Sequence, residues 1–381
     1  MELFSTHHVG GRSGSIGFPQ MRNLHSSIAA TSYEADPDCC LQIKYELKRA
    51  GYGAIQVIPS GIGHNRLAKF YMNYDPYTSS LLKLNPRYAN YYIDYNDYDY
   101  IARDTFAIIK ELEINLESLD TISKLYPIDF LSIDTQGSEH EILQSAELTL
   151  KNAIGIYTEV NFIGLYKDCP LFGEISNLLN SNDFEFIKLD LHKGMAPCTI
   201  TKSGRLRKIH AQGEALFLRR ADSKISEIQR RKLVFAALAF GQTEYAALCA
   251  EGLRQKIGHQ KNDWQYIVDS FIRIISKQKA SDMPKLFSEE YSLENSYQRF
   301  TYEVQVEESK IKKFIKRLKP IVTLIRALRR CPTFLNHLKA SIIAWKRSIL
   351  EPRGPLEEIY DEMNLPHYSK ELRRLRLYSE K

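Results

Sequence analysis

The sequence contains few cysteines, and their spacing does not indicate a metal centre. Six occur in 381 residues, and no two of them follow the C-x-x-C pattern. Cys39 and Cys40 are adjacent, which makes them poor partners for a structural disulfide. Reduced thiols are therefore the simplest interpretation, and they indicate a cytoplasmic protein.

The sequence also lacks a long apolar run. No uninterrupted apolar stretch approaches the roughly 20 residues that span a bilayer. The chain enters a predicted strand at Leu3, so we expect no signal peptide. The length accommodates two domains, which we predict at residues 1–221 and 222–381.

Acidic residues are missing from one long segment. Residues 309–350 contain twelve Lys or Arg and no Asp or Glu. Residues 1–220 have 26 acids and 22 Lys or Arg, a net charge of −4; the whole chain is +6, so residues 221–381 carry +10. Apolar residues at helical spacing (Ile311, Phe314, Ile315, Leu318, Ile321, Leu324, Ile325, Leu328) alternate with these cations.

Such a basic amphipathic helix is typical of a peripheral contact with an anionic membrane, here at its inner face. The alternative is a helix whose apolar stripe packs on the catalytic domain or on a second subunit. Nucleic acid is not expected as a partner, because the segment has neither the motifs nor the aromatic platform for it. The oligomeric state is left open.

Among the features that are present, a strand ending on an acid is the most informative. Residues 128–133 form an apolar strand, Asp134 ends it, Gly137 permits a tight turn, and an acidic helix start follows. In open α/β sheets, ligands bind at the carboxyl ends of the strands. A carboxylate at Asp134 is thus placed for chemistry, although a helix cap is the simpler alternative.

The same arrangement begins the chain. The predicted strand from Leu3 to Val9 runs into a glycine-rich loop, after which we predict a helix over 19–29. The spacing is G-x-x-G-x-x-G from Gly11, not G-x-G-x-x-G, so the motif is weak by itself. Glycines allow the backbone to approach a ligand closely, and the candidate cofactor-binding residues here are Gly10, Gly11, Arg12 and Gly14.

A second strand ends in Glu34, about twenty residues after the glycine loop. In nucleotide-binding folds an acid at this point accepts hydrogen bonds from the ribose hydroxyls. Glu34 and Asp36 both qualify; periodicity favours Glu34, and Asp36 precedes a predicted helix over 37–50. The set indicates an adenosine-containing cofactor, with Ser60, after the third predicted strand, and Gly137 as further binding candidates.

The remaining pattern alternates strands and helices. We predict strands over 54–59, 153–160, 184–189 and 214–218 and a helix over 172–179, while residues 61–110 favour short antiparallel strands. A packed helical pair is predicted within 222–252. Alternating strands and helices predict an α/β class protein with a doubly wound sheet.

These motifs resemble the FkbM-like family of S-adenosylmethionine-dependent O-methyltransferases. The family's Lys-Ile-Asp-Val-Glu-Gly-Ala-Glu segment is similar to Leu-Ser-Ile-Asp134-Thr-Gln-Gly137-Ser-Glu139, and its Glu-Val-like pair to Glu159-Val160. Asn115 to Asp120 and Tyr77 to Leu81 resemble two further family elements. The resemblance implies a Rossmann-like class I methyltransferase fold: a seven-stranded, mostly parallel sheet closed by a hairpin. We expect a C-terminal α-helical extension beyond it.

The resemblance further implies S-adenosylmethionine as cofactor and an acceptor hydroxyl on a sugar, a glycan or a related natural product. Two positions depart from the family. Gln136 replaces its usual Glu, and His8-Val-Gly-Gly-Arg12 replaces Asp-Val-Gly-Ala-Asn. They motivate one alternative, a non-catalytic membrane-associated scaffold with a degenerate methyltransferase fold. The other alternative is an NAD(P)-dependent oxidoreductase.

Three acids are the catalytic candidates. Asp134 comes first, Glu159 second as a base or acceptor-binding residue, and Glu139 could equally cap the helix. His140 titrates near neutrality but is more typical of a surface position. These carboxylates are hard oxygen ligands, yet no spacing demands a metal, and none is predicted. His7 and His8, adjacent in a strand, point to opposite faces and cannot jointly chelate an ion.

Residues 71–100 are rich in tyrosine, with nine in the segment. A tyrosine ring offers a flat apolar face and a polar tip, which suits a polyhydroxylated acceptor. We therefore predict that this insertion forms part of the acceptor wall. The alternative is that hairpins of this kind simply favour tyrosine.

Overall fold

The computed structural model of the chain describes residues 2–10, 17–19, 21–95, 98–122, 127–192, 194–197, 209–256 and 258–276, all of which belong to one compact unit. The predicted basic segment 309–350 lies outside these residues, as do Gly11, Arg12 and Gly14. The predictions made for them stay predictions, and so does the domain boundary at residue 221.

The core of the fold is a seven-stranded sheet. Its order is β11 (Phe184–Leu191), β13 (Gln212–Arg219), β10 (Gly155–Asn161), β9 (Phe130–Ile133), β1 (Phe4–Val9), β2 (Ile28–Tyr33) and β3 (Ala54–Ile58). All strands run in one direction except β13, which is antiparallel to both of its neighbours. The predicted mostly parallel sheet with a closing antiparallel pair is therefore confirmed.

Two smaller sheets lie within and beside the segment 61–110. One contains β4 (Gly61–Ile62), β8 (Ile108–Glu117) and β5 (Arg66–Asn73), and the other β12 (Met195–Ala196), β6 (Tyr92–Tyr95) and β7 (Tyr98–Ile101). β5 pairs with β8 and β6 with β7 in antiparallel fashion. This agrees with the short antiparallel strands predicted there.

The helices cover both faces of the large sheet. They are α1 (Pro37–Ala50), α2 (Ala102–Thr105), α3 (Leu119–Ile122), α4 (Glu139–Gln144), α5 (Glu147–Asn152), α6 (Phe172–Asn180), α7 (Glu227–Ala239), α8 (Thr243–Cys249) and α9 (Trp264–Ile275). Short 3-10 helices span Arg22–Ser27, Pro76–Thr78 and Pro86–Tyr88. α1 begins at a capping Asp36 and ends at Gly51, whose φ of 85° places it in the left-handed region.

The helix predicted over 19–29 is wrong. Residues 22–27 form a 3-10 helix, and Ile28 already begins β2. β2 pairs in parallel with β1 on one side and β3 on the other. Those two ladders satisfy the backbone groups of 28–33, so sheet pairing outweighs the local helical spacing.

One face of the sheet packs against the helices that follow it in sequence. Phe4 and Phe130 from the sheet share a buried cluster with Phe235 of α7 and Trp264 of α9. The predicted helical pair within 222–252 corresponds to α7 and α8. Within the described part of the chain, no helix is both long and apolar enough to cross a membrane.

Candidate cofactor and active site

A cavity lies where four neighbouring strands end. Gly10 follows β1, Glu34 follows β2, Ser60 lies two residues after β3, and Asp134 follows β9. These four residues line one cavity with an empty volume of about 710 Å³, including its open mouth. β9, β1, β2 and β3 are adjacent in the sheet, so residues distant in sequence meet at this carboxyl edge.

Gly10 makes a close approach that no other residue could make. Its φ is 93°, and a Cβ at this position would lie 1.8 Å from the carbonyl oxygen of Asp134. Its N–H donates to the carbonyl oxygen of Tyr33 at 3.1 Å. The turn thus joins β1, β2 and β9 at the floor of the cavity.

The two acids after β2 have different positions. Glu34 is buried, lines the cavity, and accepts a hydrogen bond from the Asp36 backbone N–H at 2.8 Å. The Asp36 carboxylate accepts from the Asp38 N–H at 3.0 Å and caps α1. Of the two predicted ribose acids, the structure therefore brings Glu34 to the cavity and uses Asp36 to begin the helix.

The opposite wall of the cavity was not identified from the sequence. Phe70, Ile114 and Leu116 line it from the three-stranded sheet of β4, β8 and β5. Ile114 and Leu116 belong to β8, in which apolar and polar residues alternate from Leu112 onwards, and this alternation was the available signal. Pro76, Tyr77, Ser79 and Leu81 add a segment that does contain a predicted family element.

Asp134 and Glu159 are joined by one side chain. Gln136 Nε2 donates to Asp134 Oδ1 at 2.8 Å and to Glu159 Oε2 at 2.6 Å. Gln212 Nε2 donates to the other Glu159 oxygen, and the Tyr166 hydroxyl donates to Gln136 Oε1 at 2.9 Å. The structure thus brings two of the predicted catalytic acids together through a residue that sequence reasoning noted only as a departure.

Burial and charge act strongly on Glu159. The residue is 2% exposed. Burial, together with the nearby carboxyl groups of Asp134 and Glu139, raises the pKa of Glu159 well above its usual value. This environment favours the protonated form of the Glu159 carboxyl group.

Glu139 holds the turn that carries Gln136. Its Oε1 accepts hydrogen bonds from the Thr135 N–H at 2.9 Å and the Thr135 hydroxyl at 3.0 Å, and the Gly137 N–H donates to both carboxylate oxygens. Burial raises the pKa of Glu139. Gly137, with φ of 108°, lies within this turn and does not line the cavity. These contacts favour the capping alternative for Glu139.

The two histidines of β1 are buried and have different partners. His7 Nδ1 lies 2.8 Å from the Tyr33 hydroxyl, and burial lowers the pKa of His7 to about 4. His8 Nδ1 lies 3.0 Å from Ser132 Oγ, and burial also lowers its pKa. His8, which occupies the position of the family's strand-end acid, is therefore neutral at pH 7.

The other sequence candidates lie away from the cavity. His140, on α4, lines a separate surface cleft with Arg66 and Glu141, which form an ion pair at 2.8 Å. Among the described residues, no group of three or more His, Cys, Asp or Glu side chains is arranged to hold a metal ion. Cys39, Cys40, Cys169 and Cys249 form no disulfide.

A glycine turn and two strand-end acids around one cavity, at the carboxyl edge of a parallel sheet, are typical of α/β proteins that bind a nucleotide cofactor. A match to a family model narrows this class further. Residues 21–186 match the family model described as methyltransferase FkbM domain. The family resemblance drawn from the motifs is thereby confirmed for this part of the chain.

No curated protein matches the chain significantly. Solved structures that match it include magnesium protoporphyrin IX methyltransferase from Synechocystis PCC 6803 with bound SAM, at 7% identity, 57% coverage of this chain, 70% of that chain and a TM-score of 0.31. A mutant of MtNAS in complex with S-adenosylmethionine is 9% identical, with 57% of this chain and 56% of that chain covered and a TM-score of 0.26. An S-adenosylmethionine-dependent methyltransferase from Clostridium acetobutylicum is 5% identical, with 57% of this chain and 85% of that chain covered and a TM-score of 0.26.

Proposed function

We propose that this protein is an S-adenosylmethionine-dependent O-methyltransferase that methylates a hydroxyl of a sugar, a glycan or a related natural product. The observation that carries the proposal is the cavity at the ends of β1, β2, β3 and β9, where Gly10, Glu34, Ser60 and Asp134 meet. The methyltransferase family of residues 21–186 supports the same reaction class.

The residues of this cavity fit the parts of the cofactor. The Glu34 carboxylate can accept hydrogen bonds from both ribose hydroxyls, which are donors. Phe70, Ile114 and Leu116 supply an apolar wall suited to a flat base. Asp134 places a carboxyl group on the cavity surface, which suits a cofactor that carries positive charge.

The bound cofactor would supply a methyl group on a positively charged sulfonium, which is already a good leaving group. What the protein must add is alignment of the acceptor oxygen and a place for its proton. Asp134 lines the cavity, and Glu159 lies behind Gln136. We assign Asp134 as the residue that accepts the hydroxyl proton and Glu159 as its partner.

The proposed acceptor class rests on one cavity-lining tyrosine, Tyr77, and on the exposed Tyr74 three residues before it. Tyr77 lines the cavity and is 56% exposed, and Tyr74 is 73% exposed. Exposed rings of this kind suit the faces of a sugar. Tyr91, in contrast, packs against Tyr88 and a buried cluster, so only part of the tyrosine-rich segment is available to an acceptor.

The test is calorimetric titration of the purified chain with S-adenosylmethionine and S-adenosylhomocysteine, using wild type, Glu34→Ala and Asp38→Ala. Asp38 is a matched control because it is an exposed acid close by in sequence that does not line the cavity. We expect micromolar binding that Glu34→Ala weakens at least tenfold and Asp38→Ala leaves unchanged. A folded wild-type protein that binds neither compound would refute the proposal.

A further inference from the structure

A half-buried carboxyl group, that of Asp134, and a fully buried one, that of Glu159, meet at a single amide nitrogen. Gln136 Nε2 lies 2.8 Å from Asp134 Oδ1 and 2.6 Å from Glu159 Oε2. The two oxygens are therefore no further apart than the sum of these distances. Asp134 reaches the cavity surface, whereas Glu159 lies behind it and is 2% exposed.

Gln136, which bridges the two acids, has a disfavoured backbone conformation. Gln136 has φ of 59°, in the left-handed region where side chains other than Gly, Asn and Asp are disfavoured. Its carbonyl oxygen accepts from the Ser80 hydroxyl at 2.7 Å, and its Oε1 accepts from the Tyr166 hydroxyl. Contacts from two separate segments thus hold Gln136 in a disfavoured backbone conformation. Such conformations are typical of functional positions.

The surroundings of the pair are mostly acidic. The acids that raise the pKa of Glu159, after burial, are Asp134 from the end of β9, Glu139 from α4 and Glu214 from β13. The pKa of Glu214 is lowered, because the Tyr157 hydroxyl, which donates to its carboxylate at 2.6 Å, and the His192 ring, whose Nε2 lies 4.0 Å from it, outweigh burial. The other titratable groups that act on the members of this cluster are His8, Tyr166 and Cys169.

We propose that Glu159, held beside Asp134 by the Gln136 amide, carries a proton in the cofactor-free protein and releases it when a cationic cofactor occupies the cavity that Asp134 lines. The inference rests on the proposed function. The balance is simple: one carboxylic acid O–H bond breaks, the proton goes to solvent, and the second carboxylate charge is compensated by the incoming cation. The loaded site then has an ionised pair that can accept the proton of the acceptor hydroxyl.

The experiment compares two ligands that differ in one charge. S-adenosylmethionine is a sulfonium cation, and S-adenosylhomocysteine is the corresponding neutral thioether; their amino acid and adenosine groups are the same. Each is titrated calorimetrically into wild-type protein in two buffers of different ionisation enthalpy, which gives the number of protons exchanged. We expect release of on the order of one proton more with S-adenosylmethionine than with S-adenosylhomocysteine.

The pH dependence gives a second readout. Below the raised pKa of Glu159, each unit of increase in pH should lower the Kd of S-adenosylmethionine about tenfold relative to that of S-adenosylhomocysteine. Glu159→Gln removes the group that carries the proton, and Asp134→Asn removes the neighbouring charge that favours the protonated form, so each should flatten this difference. Glu147→Gln makes the same chemical change on the exposed surface of α5 and should leave it intact.

The outcomes separate this inference from the proposed function. If both ligands bind with equal proton exchange at every pH, the inference of a proton held at Glu159 is wrong and the cofactor assignment stands. If neither ligand binds to folded wild-type protein, the proposed function and this inference are both wrong. The wild-type comparison decides by itself, so a variant that fails to fold removes no part of the test.

Discussion

The two ends of β9 carry acids whose hydrogen-bond partners are of opposite kinds. Before the strand, Asp129 accepts from the Lys232 ammonium at 2.9 Å and from the Ser5 N–H at 2.9 Å. After the strand, Asp134 accepts from the neutral amide of Gln136 and shares that amide with Glu159. Five residues apart, one acid has a cationic partner and the other has a second acid.

The difference follows from what each end must do. Asp129 and Lys232 connect the sheet to α7, and such a pair holds its geometry because each charge compensates the other. Burial by itself would lower the pKa of Lys232, and the carboxylates of Asp129 and Glu2, which both pair with it, outweigh burial and raise that pKa. At Asp134, a resident cation would compete with a cationic ligand, and the bridging amide leaves the negative charge available.

Lys232→Met should have the largest effect on stability. It leaves Asp129 buried without its counter-charge, so we expect the free energy of unfolding to fall by about 3–5 kcal/mol. Urea denaturation measures this. Asp129→Asn in the same chain should restore part of the loss, and Lys256→Met, at an exposed ion pair, should change little. Equal effects of Lys232→Met and Lys256→Met would contradict the comparison.

His7, in the strand beside β9, predicts how stability depends on acid pH. Its folded pKa of about 4 lies below the ordinary histidine value of 6.5, so the unfolded chain takes up the proton first. The stabilisation is complete above pH 6.5 and is lost as pH falls towards 4, by about 3 kcal/mol. Denaturation curves at pH 7 and pH 4 should therefore diverge less for His7→Gln than for wild type, with exposed His64→Gln as control.

Gln136→Glu makes the carboxyl end of β9 still more acidic. It removes both donors and adds a third carboxyl group, so we expect a loss of about 2 kcal/mol at pH 8. The loss should shrink at pH 5, because the raised pKa of Glu159 already favours protonation there. The same substitution at exposed Gln144, on α4, is the control. Thermal unfolding of variant and wild type at pH 8 and pH 5 measures this loss of stability. A loss of the same size at both pH values would argue against a proton held at Glu159.

Tyr77→Ala should affect stability least, because the side chain is 56% exposed. If the ring contacts the acceptor, acceptor KM should rise about tenfold with kcat unchanged, which corresponds to about 1.4 kcal/mol of ring contact. Steady-state kinetics with an acceptor found by screening measures this. Tyr45→Ala, an exposed tyrosine of α1, is the matched control; an unchanged KM for Tyr77→Ala would remove the ring from the acceptor wall.

Much of the fold was predictable because its signals are local. The strands that end just before Gly10, Glu34 and Asp134 show their apolar pattern and their turn residues within a dozen positions. The helix over 19–29 failed for the complementary reason: pairing with β1 and β3 decides the conformation of residues 28–33. The apolar wall formed by Phe70, Ile114 and Leu116 was missed, because nothing in a strand's own sequence says which cavity it will cover.

The sequence by itself determined the resemblance to the FkbM family, the parallel sheet and the strand-end acids, since each depends on residue type and short-range spacing. Only the tertiary structure decided which acids act together. Gln136 and Glu159 are 23 residues apart, and their hydrogen bond exists because β9 and β10 are parallel neighbours whose carboxyl ends meet at one edge of the sheet. The same adjacency gives Glu159 its raised pKa, because burial and neighbouring charge are properties of the folded arrangement.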